Sequence, residues 1–294
     1  MKFIEQASKS EVGVGTYVLT IALVLFSLVI GSAVVETLSI KVLGFSLQHI
    51  PDSANLNAVL SLLLLPFAFL LITLVLCIKY LHKRPIISLF TSRATFDWKR
   101  FFVAFGFWGL IMGIFLLISI ASGAPIEWNY NSTAFIGLLL VSLFILPIQT
   151  SAEEALFRGF LFQGFGKFFK KGWISILLTG TLFGLLHWAN PEVAKIGDIL
   201  LVFYIGTGVF LGIIAQMDDG LELSMGYHAV NNIFASLIIT NDWQAFHTDA
   251  LLMDRTPPAF GWESILTLLV LQPFLLFLFS KIYKWKNWKE KLLN

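Results

Sequence analysis

A chain of 294 residues, 57% hydrophobic and only 13% charged, is too apolar for a water-soluble domain and fits a bundle of membrane-spanning helices. The formal net charge of +2, with no basic patch interleaved with aromatics, gives no support to a nucleic-acid partner. The single cysteine, Cys77, lies inside an apolar run, so it cannot form an internal disulfide and reads as a small buried hydrophobe.

At about 20 apolar residues per crossing, the pattern predicts eight helices, over roughly 16–36, 56–79, 101–122, 133–166, 173–190, 197–216, 221–240 and 262–283. Glu5 and Glu11 precede the first, and no small-residue cleavage site follows it, so it reads as an uncleaved helix rather than a signal peptide. The fourth would run about 51 Å at 1.5 Å per residue, against a hydrocarbon core of about 30 Å. Pro147 sits inside it and predicts a kinked or two-part element. The expected class is all-α: a polytopic membrane protein forming one domain over 1–294, with no internal repeat or linker.

Orientation is read from lysine and arginine. The connection 79–100 carries Lys79, Lys83, Arg84, Arg93, Lys99 and Arg100; 167–172 carries Lys167, Lys170 and Lys171; the tail carries Lys281, Lys284, Lys286, Lys289 and Lys291. The alternate loops are poor in both residues. Both termini are therefore expected in the cytoplasm, in a multi-pass protein of the cell membrane. One connection disagrees, because Asp218, Asp219 and Glu222 fall on the same side without a basic residue. Trp98, Trp128, Trp173, Trp243, Trp262, Trp285 and Trp288 lie near run ends, as an interfacial belt would have them.

Three apolar segments carry polar groups that a plain span does not need. The fourth holds Glu153, Glu154 and Arg158 in Ser151-Ala152-Glu153-Glu154-Ala155-Leu156-Phe157-Arg158. The fifth holds His187 in Phe183-Gly184-Leu185-Leu186-His187, and the seventh holds His228-Ala229-Val230-Asn231-Asn232. Ionisable groups in hydrocarbon are costly and tend to mark a site. Counted from the cytoplasmic connections, Glu153 falls about 21 Å deep and His187 about 24 Å, and, counted from Asp219, His228 falls about 14 Å and Asn232 about 20 Å. Glu154 and Arg158 are i,i+4 neighbours, expected to form a tight structural pair. Glu153 is turned about 100° away and has no such partner, which makes it the better general base. His228 and Asn232 are also i,i+4, and an imidazole beside an amide suits a developing oxyanion.

Each of these groups has a bland reading when taken singly. A lone histidine or asparagine can join helices by a hydrogen bond, and an arginine–glutamate pair can be purely structural. A matched set at one depth favours a site. His49, His82 and His247 lie in loops, and Gly206, Gly208 and Gly212 read as close helix packing. No HExxH, GxSG or GxGD stretch is present.

The three motifs EExxxR, FxxxH and HxxxN, in this order on successive apolar segments, resemble those of the CAAX protease and bacteriocin-processing family of intramembrane endopeptidases, which includes the type II CAAX prenyl endopeptidases. The resemblance covers roughly 135–240, so the catalytic core is expected within 133–240. It implies hydrolysis of a peptide bond in a membrane-associated protein or peptide, with or without a prenyl group. Water would be activated by Glu153 with His187, His228 and Asn232 would hold the oxyanion, and Glu154 and Arg158 would support the site. Phe183 would be a packing residue. The site would be reached from the cytoplasmic half or laterally from the bilayer. No cofactor is favoured; a zinc-dependent version would use Glu153, His187 and His228 as ligands. The rival from another class is a non-catalytic immunity or transport-type membrane protein, in which the buried polar set would serve a proton or substrate path.

Overall fold

The computed structural model describes residues 2–293. Seven helices are long and apolar enough to cross a membrane: α1 (Val14–Leu43), α2 (Leu56–Leu81), α3 (Trp98–Ala121), α4 (Ser132–Phe169), α5 (Gly172–Ala189), α7 (Leu200–Asp218) and α9 (Trp262–Ile282). Between them lie the short α6 (Pro191–Ile196) and α8 (Glu222–Ile233), and α10 (Trp288–Leu293) follows α9. Asn55, Asp97 and Asn131 accept backbone N–H bonds at the starts of α2, α3 and α4, which fixes where those helices begin.

All eight predicted segments are mainly helical, but the seventh, which ends in strand residues 239–240, is not a plain span. α8 continues only through a π turn at Phe234–Ile238 and carries Ser224, His228, Asn231 and Asn232. Such a helix is tolerated at membrane depth when protein surrounds it. α3 supplies part of that casing: the backbone of Phe101 lies against Gly226, and Val230 reaches Gly109. The lipid-facing surface is instead made by residues such as Phe26, Val29, Phe102, Leu117 and Phe277, all exposed.

The over-long fourth segment follows one helical path from Ser132 to Phe169. A π turn at Val141–Ile145 ends with the Leu146 N–H bonded to Val141 O, one residue before Pro147. That widened turn accommodates a residue with no N–H to give, so Pro147 is absorbed without a break. A second π turn, Ala155–Leu161, starts directly after Glu154 and carries Arg158.

Among the described residues, the Lys/Arg-rich connections, the segment before α1 and the segment after α9 gather at one end of the bundle. The acidic loop that seemed out of place is neutralised there by its neighbours. Arg93 pairs with Asp218 at 3.3 Å and with Glu222 at 3.1 Å, Arg100 pairs with Asp218, and Lys291 pairs with Asp219 at 2.5 Å. Lys2 reaches Glu290 at 2.9 Å. The opposite end carries a feature the all-α expectation omitted, a small sheet in the order β1 (Ile126–Trp128), β3 (Leu252–Asp254), β2 (Ile239–Thr240). The β1–β3 pairing is antiparallel and the β2–β3 pairing parallel.

α5 and α7 approach so closely that only glycine fits at the crossing. A Cβ on Gly208 would lie 2.6 Å from Gly180 O, and one on Gly184 would lie 2.7 Å from the Ile205 backbone nitrogen. Gly208 and Gly206 thus pack as expected; Gly212 has ordinary room. Cys77 is a buried free thiol, also as expected. His82, read from sequence as a loop residue without a role, is fully buried.

Candidate active site

The site is built where α4, α5, α7 and α8 meet. Arg158 and Glu154 are both 0% exposed, and Arg158 Nη1 donates to Glu154 Oε1 at 3.0 Å. Arg158 Nη2 donates to Gly208 O at 3.2 Å, a contact made possible by the glycine crossing. Its guanidinium also lies 4.1 Å from the centre of the Phe183 ring. The i,i+4 pair expected from the spacing is therefore formed, and it is anchored on two further helices.

The pair also holds an imidazole. His228 Nδ1 lies 3.0 Å from Glu154 Oε1. With a carboxylate as acceptor, the proton sits on Nδ1 and the ring orientation is fixed. His228 Nε2 then faces Glu153 Oε2 at 3.5 Å. That distance is too long for a good direct hydrogen bond. Glu153 Oε2 is buried and has no hydrogen-bond partner, while the side chain keeps 13% exposure. Glu154 thus has more contacts than a purely structural partner of Arg158 would need.

One turn along both helices a second cross-link repeats the first. Asn232 Nδ2 donates to Gln149 Oε1 at 3.1 Å. Gln149 is i−4 from Glu153, as Asn232 is i+4 from His228, so two matching faces meet in two rungs. Asn232 Oδ1 accepts from Asn231 Nδ2 at 3.2 Å, and Asn231 Oδ1 accepts from Trp108 Nε1 at 3.2 Å. This relay from α3 holds the carboxamide plane.

His187 ends the regular part of α5. Its Nδ1 lies 2.8 Å from Phe183 O, a carbonyl acceptor, so the proton is on Nδ1 and Nε2 is left with its lone pair. The Tyr204 ring stacks on it at 4.1 Å. Tyr204 Oη donates to Glu192 Oε1 at 2.6 Å, and Glu192 Oε2 accepts from the Ala245 N–H at 3.0 Å. Phe183 touches both histidines, 4.7 Å from His187 and 5.8 Å from His228 between ring centres, so it packs the two motifs together.

The structure therefore joins Glu153, Glu154, Arg158 and His228 in one cluster, sets Asn232 one turn away on a separate rung with Gln149, and brings His187 against His228 through Phe183. Sequence reasoning missed Gln149, Tyr204 and Trp108. Gln149 carried a usable signal, a polar residue one turn before Glu153 on the same face. Tyr204 and Trp108 carried none.

The zinc-dependent version would need Glu153, His187 and His228 as ligands. Each imidazole commits Nδ1 to an acceptor, which is the usual preparation of a metal-binding histidine. Among the described residues, however, no three His, Cys, Asp or Glu side chains converge with metal-ligand spacing.

Carboxylates, imidazoles and amides joined inside an apolar helical bundle define a multi-pass membrane protein with an intramembrane polar centre. The family model for type II CAAX prenyl endopeptidase Rce1-like proteins matches residues 132–234, a stretch holding all three motifs. The uncharacterized protein YyaK of Bacillus subtilis (strain 168) is 33% identical over 220 residues, 74% of this chain and 71% of YyaK. No solved structure matches. The chain belongs to this Rce1-like family, and so among the intramembrane CAAX-type proteases.

Proposed function

We propose that the protein is an intramembrane endopeptidase in which Glu153 activates water and His228 with Asn232 receives the oxyanion. The observation that carries this reading is the unpartnered Glu153 Oε2 facing the outer nitrogen of an imidazole whose inner nitrogen is tied to Glu154. A water bound between Glu153 Oε2 and His187 Nε2 would lose its proton to Glu153 while attacking the substrate carbonyl. His228 protonated on both nitrogens offers Nε2–H to the growing oxyanion, and Asn232 offers its remaining N–H. Glu153 then passes the proton to the leaving amine. Glu154, balanced by Arg158, keeps His228 aimed throughout.

The substrate class is a protein or peptide held at the membrane, with or without a prenyl group. By helix rise, Glu153 lies about 21 Å and His187 about 24 Å from the Lys/Arg-rich end. His187 and Tyr204 adjoin the opposite connection. Entry is thus proposed laterally from the bilayer, one of the two routes expected from the sequence, or from the Lys/Arg-poor end.

Substrate trapping tests the assignment. Glu153→Gln protein in its native membrane should fold, retain an uncleaved substrate and show no turnover; wild-type turnover by this variant contradicts it. Zinc analysis of the purified active protein separates the metal version: stoichiometric zinc, lost together with activity, would overturn the general-base role of Glu153.

A further inference from the structure

A second buried polar cluster lies at the Lys/Arg-rich end, away from the Glu153 site. After α2 the chain turns sharply at Lys83, where φ is 51°. Arg84 is thereby carried into the protein and is 3% exposed. Its Nη1 donates to Gln163 Oε1 on α4 at 2.6 Å. Nε and Nη2 are buried and have no partner. These two N–H groups share one edge of the guanidinium, the edge that grips two oxygens of one anion side by side. Tyr17 Oη on α1 and Ser10 Oγ are also buried without a partner.

Positive charge is concentrated around these groups. Lys167 Nζ lies 6.0 Å from the centre of the Tyr17 ring and donates to Ser10 O at 2.7 Å and Val12 O at 2.9 Å. Tyr17 packs edge-on against His82 at 4.8 Å. Burial, with Arg84 and Lys167 adding to it, holds the His82 ring down at about 4, so it stays neutral. Burial also lowers Arg84 to about 10, opposed only by Tyr17. Among the described residues no carboxylate pairs with Arg84; the exposed Glu11 acts on Lys167 alone. The contrast with Arg158, equally buried but paired with Glu154 at 3.0 Å, is direct. A buried guanidinium with its two-point edge free lacks an anion.

The depth of the cluster says where that anion comes from. Arg84 follows the last turn of α2, Lys167 is in the last turn of α4, and Ser10 precedes the first turn of α1. All three lie at the Lys/Arg-rich ends of membrane-spanning helices, where headgroups meet such ends. We propose that Arg84, Lys167, Tyr17 and Ser10 form a binding site for a phosphate group, carried by an anionic phospholipid or present as free phosphate. This site does not depend on the protease reading.

The test is thermal melting of the purified full chain in a neutral detergent, with phosphatidylglycerol, a neutral glycolipid without phosphate, or inorganic phosphate added. Phosphatidylglycerol should raise the melting temperature by several degrees and the glycolipid should not. Arg84→Gln should remove the shift. An Arg84-dependent shift from inorganic phosphate alone would support the site and identify the free anion as its ligand. Equal shifts in wild type and Arg84→Gln, an equal shift from the glycolipid, or no shift from either phosphate source would overturn it. Should Arg84→Gln fail to fold, Tyr17→Phe decides. A severalfold rise in the phosphate-source concentration needed for half the shift supports the site, and an unchanged one overturns it.

Discussion

His228 and Glu154 are joined at 3.0 Å, Nδ1 to Oε1, in a part of the bundle where the glutamate has no exposure at all. One oxygen of Glu154 thus serves two partners, since Arg158 Nη1 binds the same Oε1 at 3.0 Å. Stability and imidazole orientation therefore depend on the same carboxylate, and a double-mutant comparison can separate them.

Glu154→Gln leaves the Arg158 guanidinium buried without a counter-charge, which costs about 3–5 kcal/mol. Replacing both partners with apolar residues of similar shape, Glu154→Leu with Arg158→Met, should recover much of that loss. Cleavage should stay abolished in the double variant, because His228 no longer has its acceptor. Thermal melting and turnover on the same preparations check both halves.

The second rung predicts a graded effect. Asn232→Ala removes an oxyanion donor and should lower turnover about 100- to 1,000-fold, with little change in melting temperature. Gln149→Ala keeps the donor but frees its plane, and should give a smaller loss, within about 100-fold. A Gln149→Ala variant as defective as Asn232→Ala would mean that Gln149 touches the substrate itself.

The local parts of this arrangement were legible in the sequence. The i,i+4 spacings of Glu154 with Arg158 and of His228 with Asn232 follow from helix geometry alone, and three polar segments at one depth follow from counting. What lay hidden depends on how helices pack. Gln149 lies one turn before Glu153 on the same helix face, but its bond to Asn232 depends on how α8 packs against α4. Tyr204 gave no sign of its stack on His187, because the α5–α7 crossing is set by which glycines meet. The acids 218, 219 and 222 seemed unbalanced because their cations sit on other connections. α8 looked like another span because hydrophobic count does not say whether lipid or protein surrounds a helix.

His82 gives a pH dependence of stability outside the spans. Burial lowers its folded pKa from 6.5 to about 4, so the unfolded chain binds the extra proton between those values. Stability from this group is complete above about 6.5, falls as pH drops toward 4, and changes by at most about 1.4 kcal/mol per pH unit in that window. Without added anionic lipid, wild type should melt at a lower temperature at pH 5 than at pH 7.5. His82→Gln should flatten that difference.

Orientation can be read with a membrane-impermeant thiol reagent, because Cys77 is buried and unique. In a Cys77→Ala background, Lys170→Cys should be protected in intact cells and labelled after lysis. Trp128→Cys should be labelled in intact cells. The reverse pattern would place the Lys/Arg-rich end outside.

The peptidase reading itself is tested most directly by sequencing protein N-termini in membranes from cells carrying wild-type protein or Glu153→Gln at equal levels. New N-termini in membrane-associated proteins should be present with wild type and missing with the variant. Identical sets of N-termini from the two would contradict proteolysis by this site.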